Sequence, residues 1–125
     1  MPLVTLRYAQ ELEKFNNNPY SLATMRYRKQ KYNAGKRNLA WRLDKEKTID
    51  MIAESKTCAI SGIPLMFEIG HPDVPSIDRK NSRHGYTKSN IQVTSARINI
   101  MKGEMDQDEF VKTCRQIIEF HDKNC

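Results

Sequence analysis

The feature that most constrains the fold is a pair of short strand-like segments in the second half of the chain. They are Pro75–Arg79 and Asn90–Thr94, and each is bounded by residues that favour turns. Residues 80–89 between them include Asn81 and Gly85, which are typical of a tight connection. The two segments are therefore predicted to pair as a β-hairpin.

Two helices are predicted after the hairpin. Ala96–Lys102 forms a short one, and Gly103 is its C-terminal stop. Asp106 and Glu109, three residues apart, provide an N-cap and a capping box for the next helix. The apolar residues of that helix recur at i, i+4, i+7 and i+8, namely Phe110, Cys114, Ile117 and Ile118. This spacing predicts that the helix runs to the C-terminus with one face in the core.

The first half of the chain is predicted to be helical. The apolar residues of a short first helix are Leu3, Leu6, Leu12 and Phe15. The Asn-Asn-Asn-Pro run at residues 16–19 ends it, and a second helix follows from about Ser21 to Tyr32, before Gly35. Asp44 is the expected N-cap of a third helix, and residues 58–65 are expected to form a tight turn. Helices, a hairpin and two more helices make an α+β fold.

Several classes of protein are excluded by composition. No apolar run approaches the length of a membrane span, and the N-terminus lacks the apolar stretch of a signal peptide. Three cysteines without a Cys-x-x-Cys pair argue against a disulfide framework and against a four-thiolate zinc site. A soluble protein of the reducing cytoplasm, or of the host cytoplasm if a phage encodes it, is the expectation.

Positive charge is concentrated in one segment of a chain whose net charge is +6. Between residues 26 and 42 there is no acidic residue, and the basic ones are Arg26, Arg28, Lys29, Lys31, Lys36, Arg37 and Arg42. Such a segment suits a polyanion, because each neutralised phosphate releases condensed counterions. The alternative is a solvated helix face, but such faces usually carry mixed charge. Residues 1–45 are therefore predicted to be a basic helical arm that contacts nucleic-acid backbone, next to a second unit at residues 46–125.

The hairpin and short helix offer a place for phosphodiester chemistry. A hard divalent cation on a phosphate is held best by oxygen ligands, and a carboxylate with an amide oxygen suffices if water and phosphate complete the shell. A helix folded back across the hairpin would bring Asn99 to Asp78. Taken singly, Asp78 could be a surface ion-pair partner and Asn99 an ordinary polar helix residue. The prediction of a metal site therefore depends on the two residues occurring together at this spacing.

The residues resemble a known family at this point. Pro75-Ser-Ile-Asp-Arg79, Gly85-Tyr-Thr87, Asn90-Ile-Gln-Val93 and Ile98-Asn-x-x-Lys102 are similar to the HNH-type (His-Me finger, ββα-metal) endonucleases. The similarity is strongest to their phage and mobile-element branch. It covers roughly residues 34–118, including a Cys-x-x-Ser-Gly-Ile-Pro-Leu segment at residues 58–65.

The resemblance implies roles for particular residues. Asp78 and Asn99 would be the ligands of one Mg²⁺ or Mn²⁺ ion. Asn90 would brace the hairpin loop through its side-chain amide without touching metal, and Lys102 would face a phosphate. The implied reaction is hydrolysis of double-stranded DNA to a 5′-phosphate and a 3′-hydroxyl.

Two departures from the family pattern matter. Arg79 stands where the family has its histidine base, and arginine cannot accept a proton from water. Arg79 is therefore expected to bind phosphate or to neutralise charge in the transition state. His84 is the first candidate for the base and His71 the second, while water deprotonated without a side chain is a third possibility. His84 is equally well explained as a loop residue contacting backbone phosphate.

The other departure concerns zinc. Many relatives carry two Cys-x-x-Cys pairs, and the corresponding positions here read Cys58, Ser61, Ser95 and Ile98. One thiolate cannot hold zinc, so apolar packing is expected in its place. That packing is expected from Ile60, Ile63, Leu65, Val93, Ile98 and the face between Phe110 and Ile118.

Three interpretations of function follow. The first is a DNA endonuclease or nickase that uses one divalent cation. The second is an HNH-like DNA-binding module whose chemistry is weak or lost, and Arg79 in the base position favours it. The third, an inhibitor of a host protein, has no specific support in the sequence. The oligomeric state stays open, since no heptad pattern is visible.

Overall fold

An antiparallel ribbon of two strands lies among four helices in the computed structural model, which describes residues 18–124. The helices are α1 (Pro19–Lys36), α2 (Lys45–Glu54), α3 (Ala96–Lys102) and α4 (Gln107–Lys123). The strands are β1 (Trp41–Arg42), β2 (Pro75–Arg79), β3 (Tyr86–Thr87) and β4 (Ile91–Ser95), and a 3₁₀ turn spans Lys88–Asn90. The predicted α+β class is confirmed at this level: helices combined with small sheets.

The ribbon is the predicted hairpin. Strands β2 and β4 pair from Pro75 opposite Ser95 to Arg79 opposite Ile91. The second strand begins at Ile91, one residue later than predicted, because Asn90 ends the 3₁₀ turn and its side chain is bonded to the hairpin loop. Both α1 and α3 contact β2, so residues from two helices can reach the same strand.

A second, very short sheet was not predicted. Strand β1 pairs in parallel with β3, with Trp41 opposite Tyr86. Their rings lie with centroids 4.7 Å apart, and the backbone N–H of Tyr86 donates to the carbonyl of Ala40 at 2.8 Å. A Cβ at Gly85 would lie 2.7 Å from that same carbonyl, so only glycine permits the approach. This contact fixes the hairpin loop against the segment that follows α1.

Helix α1 differs from the prediction at both ends. Asn18 is its N-cap, accepting hydrogen bonds from the backbone N–H groups of Tyr20 and Ser21, and Pro19 is the first helical residue. The Asn-Pro run therefore starts this helix. The helix also continues through Gly35 to Lys36. The first predicted helix, near residues 3–15, lies outside the described residues.

Two predictions for the segment between α1 and the ribbon are confirmed. Asp44 caps α2 by accepting from the N–H of Lys47, as predicted. Residues 58–65 form the predicted turn, in which Gly62 adopts φ +74° and Thr57 bridges to Pro64. None of the helices in residues 18–124 is both long and apolar enough to cross a membrane.

One hydrophobic cluster includes α1 as well as the ribbon. Ala23, Tyr27 and Ala34 from the helix belong to the same cluster as Ile77 and Val93 from the strands. Within the described residues, the segment predicted as an arm thus shares a core with the unit predicted to begin at residue 46. Its role in contacting nucleic acid stays a prediction.

The C-terminal helix contradicts the expected core face. Phe110 is buried and Cys114 is partly buried, but Ile117 and Ile118 are 54% and 59% exposed. Helical periodicity identifies the apolar face of a helix, but not whether another element lies opposite it. The prediction that the helix packs along its whole length is wrong for its second half.

The apolar residues that were expected in place of a zinc site belong to the hydrophobic cluster. Leu65, Val93, Ile98 and Phe110 are buried there, with Ile60 and Ile63 packed against them. The pKa of the Cys58 thiol lies below its ordinary value, although burial alone would raise it. The pKa is lowered by hydrogen bonds with the side chain and backbone of Ser61 and with the backbones of Ser95 and Ile60, and together these outweigh burial.

Candidate active site

A cavity of about 240 Å³ lies where α1, β2 and the end of α3 meet. It is lined by residues from each of these elements and from the hairpin loop. They are Gln30, Asn33, Ala34, Arg37, Ile77, Asp78, Arg79, Ser82, Tyr86, Asn99, Ile100, Lys102, Gly103 and Glu104. Asp78 and Asn99, predicted from their spacing to lie together, thus line one cavity.

Asp78 is held from two sides. It lies on β2, and its side chain is only 3% exposed. Its Oδ1 accepts a hydrogen bond from the Nζ of Lys102 at 3.0 Å, and its Oδ2 accepts one from the Nε2 of Gln92 at 2.9 Å. Gln92 stands directly opposite Asp78 in the ribbon and also donates to Gln107 at the start of α4. The carboxylate is therefore fixed by the neighbouring strand and by α3.

Asn99 reaches β2 from α3. Its Nδ2 donates to the Oγ of Ser76 at 2.8 Å and lies 3.4 Å from the carbonyl oxygen of Ile77. No hydrogen bond from another described residue reaches its amide oxygen. The side chain is thus oriented through its nitrogen while its oxygen keeps its lone pairs.

Lys102 lies one helical turn after Asn99 and also lines the cavity. Its side chain is 1% exposed, and its Nζ donates to Asp78 and, at 2.8 Å, to the carbonyl oxygen of Arg79. A lysine is buried in this way only when paired. Its charge faces the carboxylate, and a contact with phosphate stays a prediction.

Arg79 folds back onto the hairpin loop. Its Nη1 donates to the carbonyl oxygens of Ser82 at 2.8 Å and His84 at 3.1 Å. The guanidinium carbon lies 5.5 Å from the ring centroid of Tyr86, and Nη2 is 3.7 Å from Glu104. Arg79 therefore braces the loop while lining the cavity.

Asn90 makes the contacts that the resemblance implied. Its Oδ1 accepts from the N–H of Asn81 at 3.0 Å, and its Nδ2 donates to the carbonyl oxygens of Asn81 at 3.0 Å and Gly85 at 2.9 Å. One side chain closes the loop by satisfying three backbone groups. A contribution of this bracing to catalysis stays a prediction.

The two histidines predicted as bases differ in position. The His84 side chain is exposed on the hairpin loop, and its carbonyl receives Arg79. His71 lies before β2, and its Nδ1 accepts a hydrogen bond from the N–H of Asp73. Neither lines the cavity. Of the two, His84 is closer along the chain to the cavity residue Ser82.

Most of the predicted basic contacts are exposed. They are Arg28, Lys29, Lys31, Lys36 and Arg37 on and after α1, with Arg42 on β1. Arg26 differs, because its Nε donates to the carbonyl oxygen of Pro75 and burial lowers the pKa of its guanidinium. Arg37 also pairs with Glu104 at 2.6 Å beside the cavity.

Residues from α1 at the cavity were not predicted from the sequence. Gln30 bonds to β2, and Asn33 lines the cavity one turn further along the helix. A glutamine in a basic helix carries no signal of such a role. Only the spacing between Gln30 and Asn33 would have shown that they share a helix face.

The donor set suits one hard cation. Within residues 18–124 no three His, Cys, Asp or Glu side chains cluster as metal ligands. Asp78 accepts two hydrogen bonds, whereas an ionised carboxylate offers about four lone-pair sites. A carboxylate oxygen of Asp78 and the amide oxygen of Asn99 could therefore both bind a cation. Such a cation would take its other ligands from water and phosphate.

Comparisons with known proteins concern the fold. No family model matches the chain, and no curated protein matches it. Among solved structures, the chain is similar to a protein described as the rare-cutting HNH restriction endonuclease PacI, studied for its mechanism of DNA perturbation. The TM-score is 0.61 at 19% identity, over 82% of this chain and 81% of that one. The chain therefore has an HNH-like fold.

Proposed function

We propose that this chain is a DNA endonuclease or nickase that hydrolyses phosphodiester bonds with one divalent cation, Mg²⁺ or Mn²⁺. One observation carries the proposal: Asp78 and Asn99 line one cavity in a fold similar to that of an HNH restriction endonuclease. These two residues would hold the cation. When bound, it would stabilise negative charge on the scissile phosphate and the leaving oxygen.

The chain's own residues supply the rest of the chemistry. Arg79, rigidly held by loop carbonyls at the cavity, provides a fixed positive charge close to a bound phosphate. It is not the base, because a guanidinium stays protonated. His84 is the first candidate for the base. Its imidazole is exposed outside the cavity, so it would accept the proton of the attacking water only if bound DNA brought the two together.

Binding of the duplex falls to the exposed basic residues of α1. The helix carries four exposed positive charges, and three of its other residues, Gln30, Asn33 and Ala34, line the cavity. The four charged residues are Arg28, Lys29, Lys31 and Lys36. Charges of this kind contact phosphates, giving affinity and position but no sequence reading. The proposed partner is double-stranded DNA, and its sequence would be read by other contacts.

The second candidate is a DNA-binding module with weak or no chemistry. It is favoured by the contacts of Asp78, whose two oxygens already accept hydrogen bonds from Lys102 and Gln92. Arg79 in place of the usual base supports the same interpretation. Both candidates predict DNA binding, so cleavage separates them.

The test is cleavage of supercoiled plasmid with Mg²⁺ or Mn²⁺. Asp78→Asn and Asn99→Ala are the informative variants, since Asp78→Asn keeps the shape of the side chain and an acceptor oxygen for Lys102 while it removes the negative charge. The matched controls are Asp122→Asn and Asn124→Ala, both exposed at the end of α4.

Metal-dependent nicking that both site variants abolish, and both controls retain, is the expected result. Binding of the plasmid without nicking, at every metal concentration and pH tried, would reject the enzyme in favour of the binding module. Nicking that survives Asp78→Asn would reject the assignment of the site.

A further inference from the structure

The ion pair of Lys102 with Asp78 is the most deeply buried charged contact among residues 18–124. The two side chains are 1% and 3% exposed, with Nζ and Oδ1 3.0 Å apart. Isolated charges are strongly disfavoured in such surroundings, so removal of either partner would leave the other as an uncompensated buried charge. The pair is therefore a fixed part of the site's electrostatics, unlike the surface pair of Arg37 with Glu104.

The position of Lys102 follows from its helix. Asn99 and Lys102 are three residues apart on α3, so their side chains project from the same face toward β2. Asn99 bonds to Ser76, and Lys102 bonds two residues further along the strand to Asp78. The ammonium consequently lies at the carboxylate that would bind metal.

We infer that Lys102 is a built-in counter-cation for Asp78. It neutralises the buried carboxylate in the metal-free protein, and its positive charge lowers the affinity of the site for a divalent cation. This inference rests on the proposed metal site at Asp78 and Asn99. The structure supports it because the carbonyl oxygen of Arg79 also accepts from Nζ, so a second contact holds the ammonium in place.

The consequence is a site that stays folded without metal. If Lys102 were uncharged, Asp78 would be a buried carboxylate with only the neutral Gln92 as donor. Such a protein would lose stability, and a bound cation would restore it, because a ligand that binds only the folded state stabilises that state. Lys102→Met makes this change, since methionine retains most of the length of lysine without its charge.

The experiment compares the full chain with Lys102→Met and Lys80→Met in metal-free buffer and with Mn²⁺. Lys80→Met removes one charge from an exposed residue directly after β2 and serves as the matched control. Calorimetric titration measures Mn²⁺ affinity, and thermal unfolding measures stability. Asp78→Asn combined with Lys102→Met removes the proposed ligand as well.

Lys102→Met is expected to have a lower Tm without metal and to bind Mn²⁺ about tenfold more tightly than the unaltered chain, within the usual range for coupled sites. Its Tm should rise with Mn²⁺ far more than that of Lys80→Met. The double variant should lose this response. If Lys102→Met folds only when Mn²⁺ is present, the inference is supported by that result as well.

Equal Mn²⁺ affinity in a folded Lys102→Met variant would overturn the inference and leave the proposed function intact. A variant that fails to fold even with saturating Mn²⁺ would also overturn it, because the lysine would then be needed for structure alone. Tighter Mn²⁺ binding without nicking by any form would reject the enzyme while supporting the inference. No Mn²⁺ binding by any form would reject both.

Discussion

Gln30 of α1 pairs with Ile77 of β2 as a neighbouring strand would. Its Oε1 accepts from the N–H of Ile77 at 2.8 Å, and its Nε2 donates to the carbonyl oxygen of Ile77 at 2.9 Å. The edge of a two-stranded ribbon exposes such groups, and here a side-chain amide satisfies them. The basic helix is thereby joined to the strand that carries Asp78.

Replacement of Gln30 by leucine should destabilise the fold. It would leave the N–H of Ile77 without its partner and the carbonyl of Ile77 with only the long contact to the Nδ2 of Asn99 at 3.4 Å. An unsatisfied buried group costs about 1–3 kcal/mol. Urea unfolding measures the effect, with Gln116→Leu on the exposed surface of α4 as control, where the change should stay within about 0.5 kcal/mol. Equal effects in the two variants would show that the Gln30 hydrogen bonds contribute nothing specific.

Asn90→Ala should loosen the hairpin loop. Three backbone groups, of Asn81 and Gly85, would be left without their partner, and we expect the unfolding free energy to fall by about 1–3 kcal/mol. Amide exchange at Asn81 should accelerate, since Asn90 accepts its N–H. Asn124→Ala, which removes one exposed hydrogen bond at a helix end, is the control. Unchanged exchange at Asn81 would contradict the bracing role.

The basic surface of α1 should set the salt dependence of DNA binding. Replacing Arg28, Lys29, Lys36 and Arg37 by glutamine should reduce the slope of log Kobs against log salt by about 0.9 for each phosphate that the protein no longer neutralises. The control is a charge-matched variant with glutamine at Lys45, Lys47, Lys112 and Lys123, all exposed. An equal change of slope in both variants would mean that net charge, and not this surface, determines binding.

Local signals predicted the elements that position the site. The N-caps Asp44 and Asp106, the turn near Gly62 and the stop at Gly103 all occur where the sequence indicated. Each depends on hydrogen bonds or dihedral angles within a few residues, so the neighbouring sequence determines it. The strand spacing likewise predicted the ribbon, with an error of one residue at Asn90.

Contacts between distant segments were not predictable in the same way. The pairing of Trp41 with Tyr86 involves strands of two residues, too short for any periodicity. The Gln30 contact joins residues 47 positions apart, and nothing near Gln30 marks it. The resemblance implied that Lys102 faces a phosphate, and only the three-dimensional neighbour Asp78 explains its burial. The juxtaposition of Asp78 with Asn99 is observed, whereas their role as ligands stays a prediction.

Helix α4 provides the sharpest test of this distinction, because one periodic pattern covers a buried and an exposed half. Phe110 is 5% exposed and belongs to the core, so Phe110→Ala should cost about 3–5 kcal/mol. Ile118 has the same place in the pattern but is 59% exposed, so Ile118→Ala should change stability by no more than about 0.5 kcal/mol. Urea unfolding of both variants at several protein concentrations checks the comparison. A large cost at Ile118 that grows with protein concentration would show that the second half of α4 is covered in solution, since a stability that depends on concentration reports association.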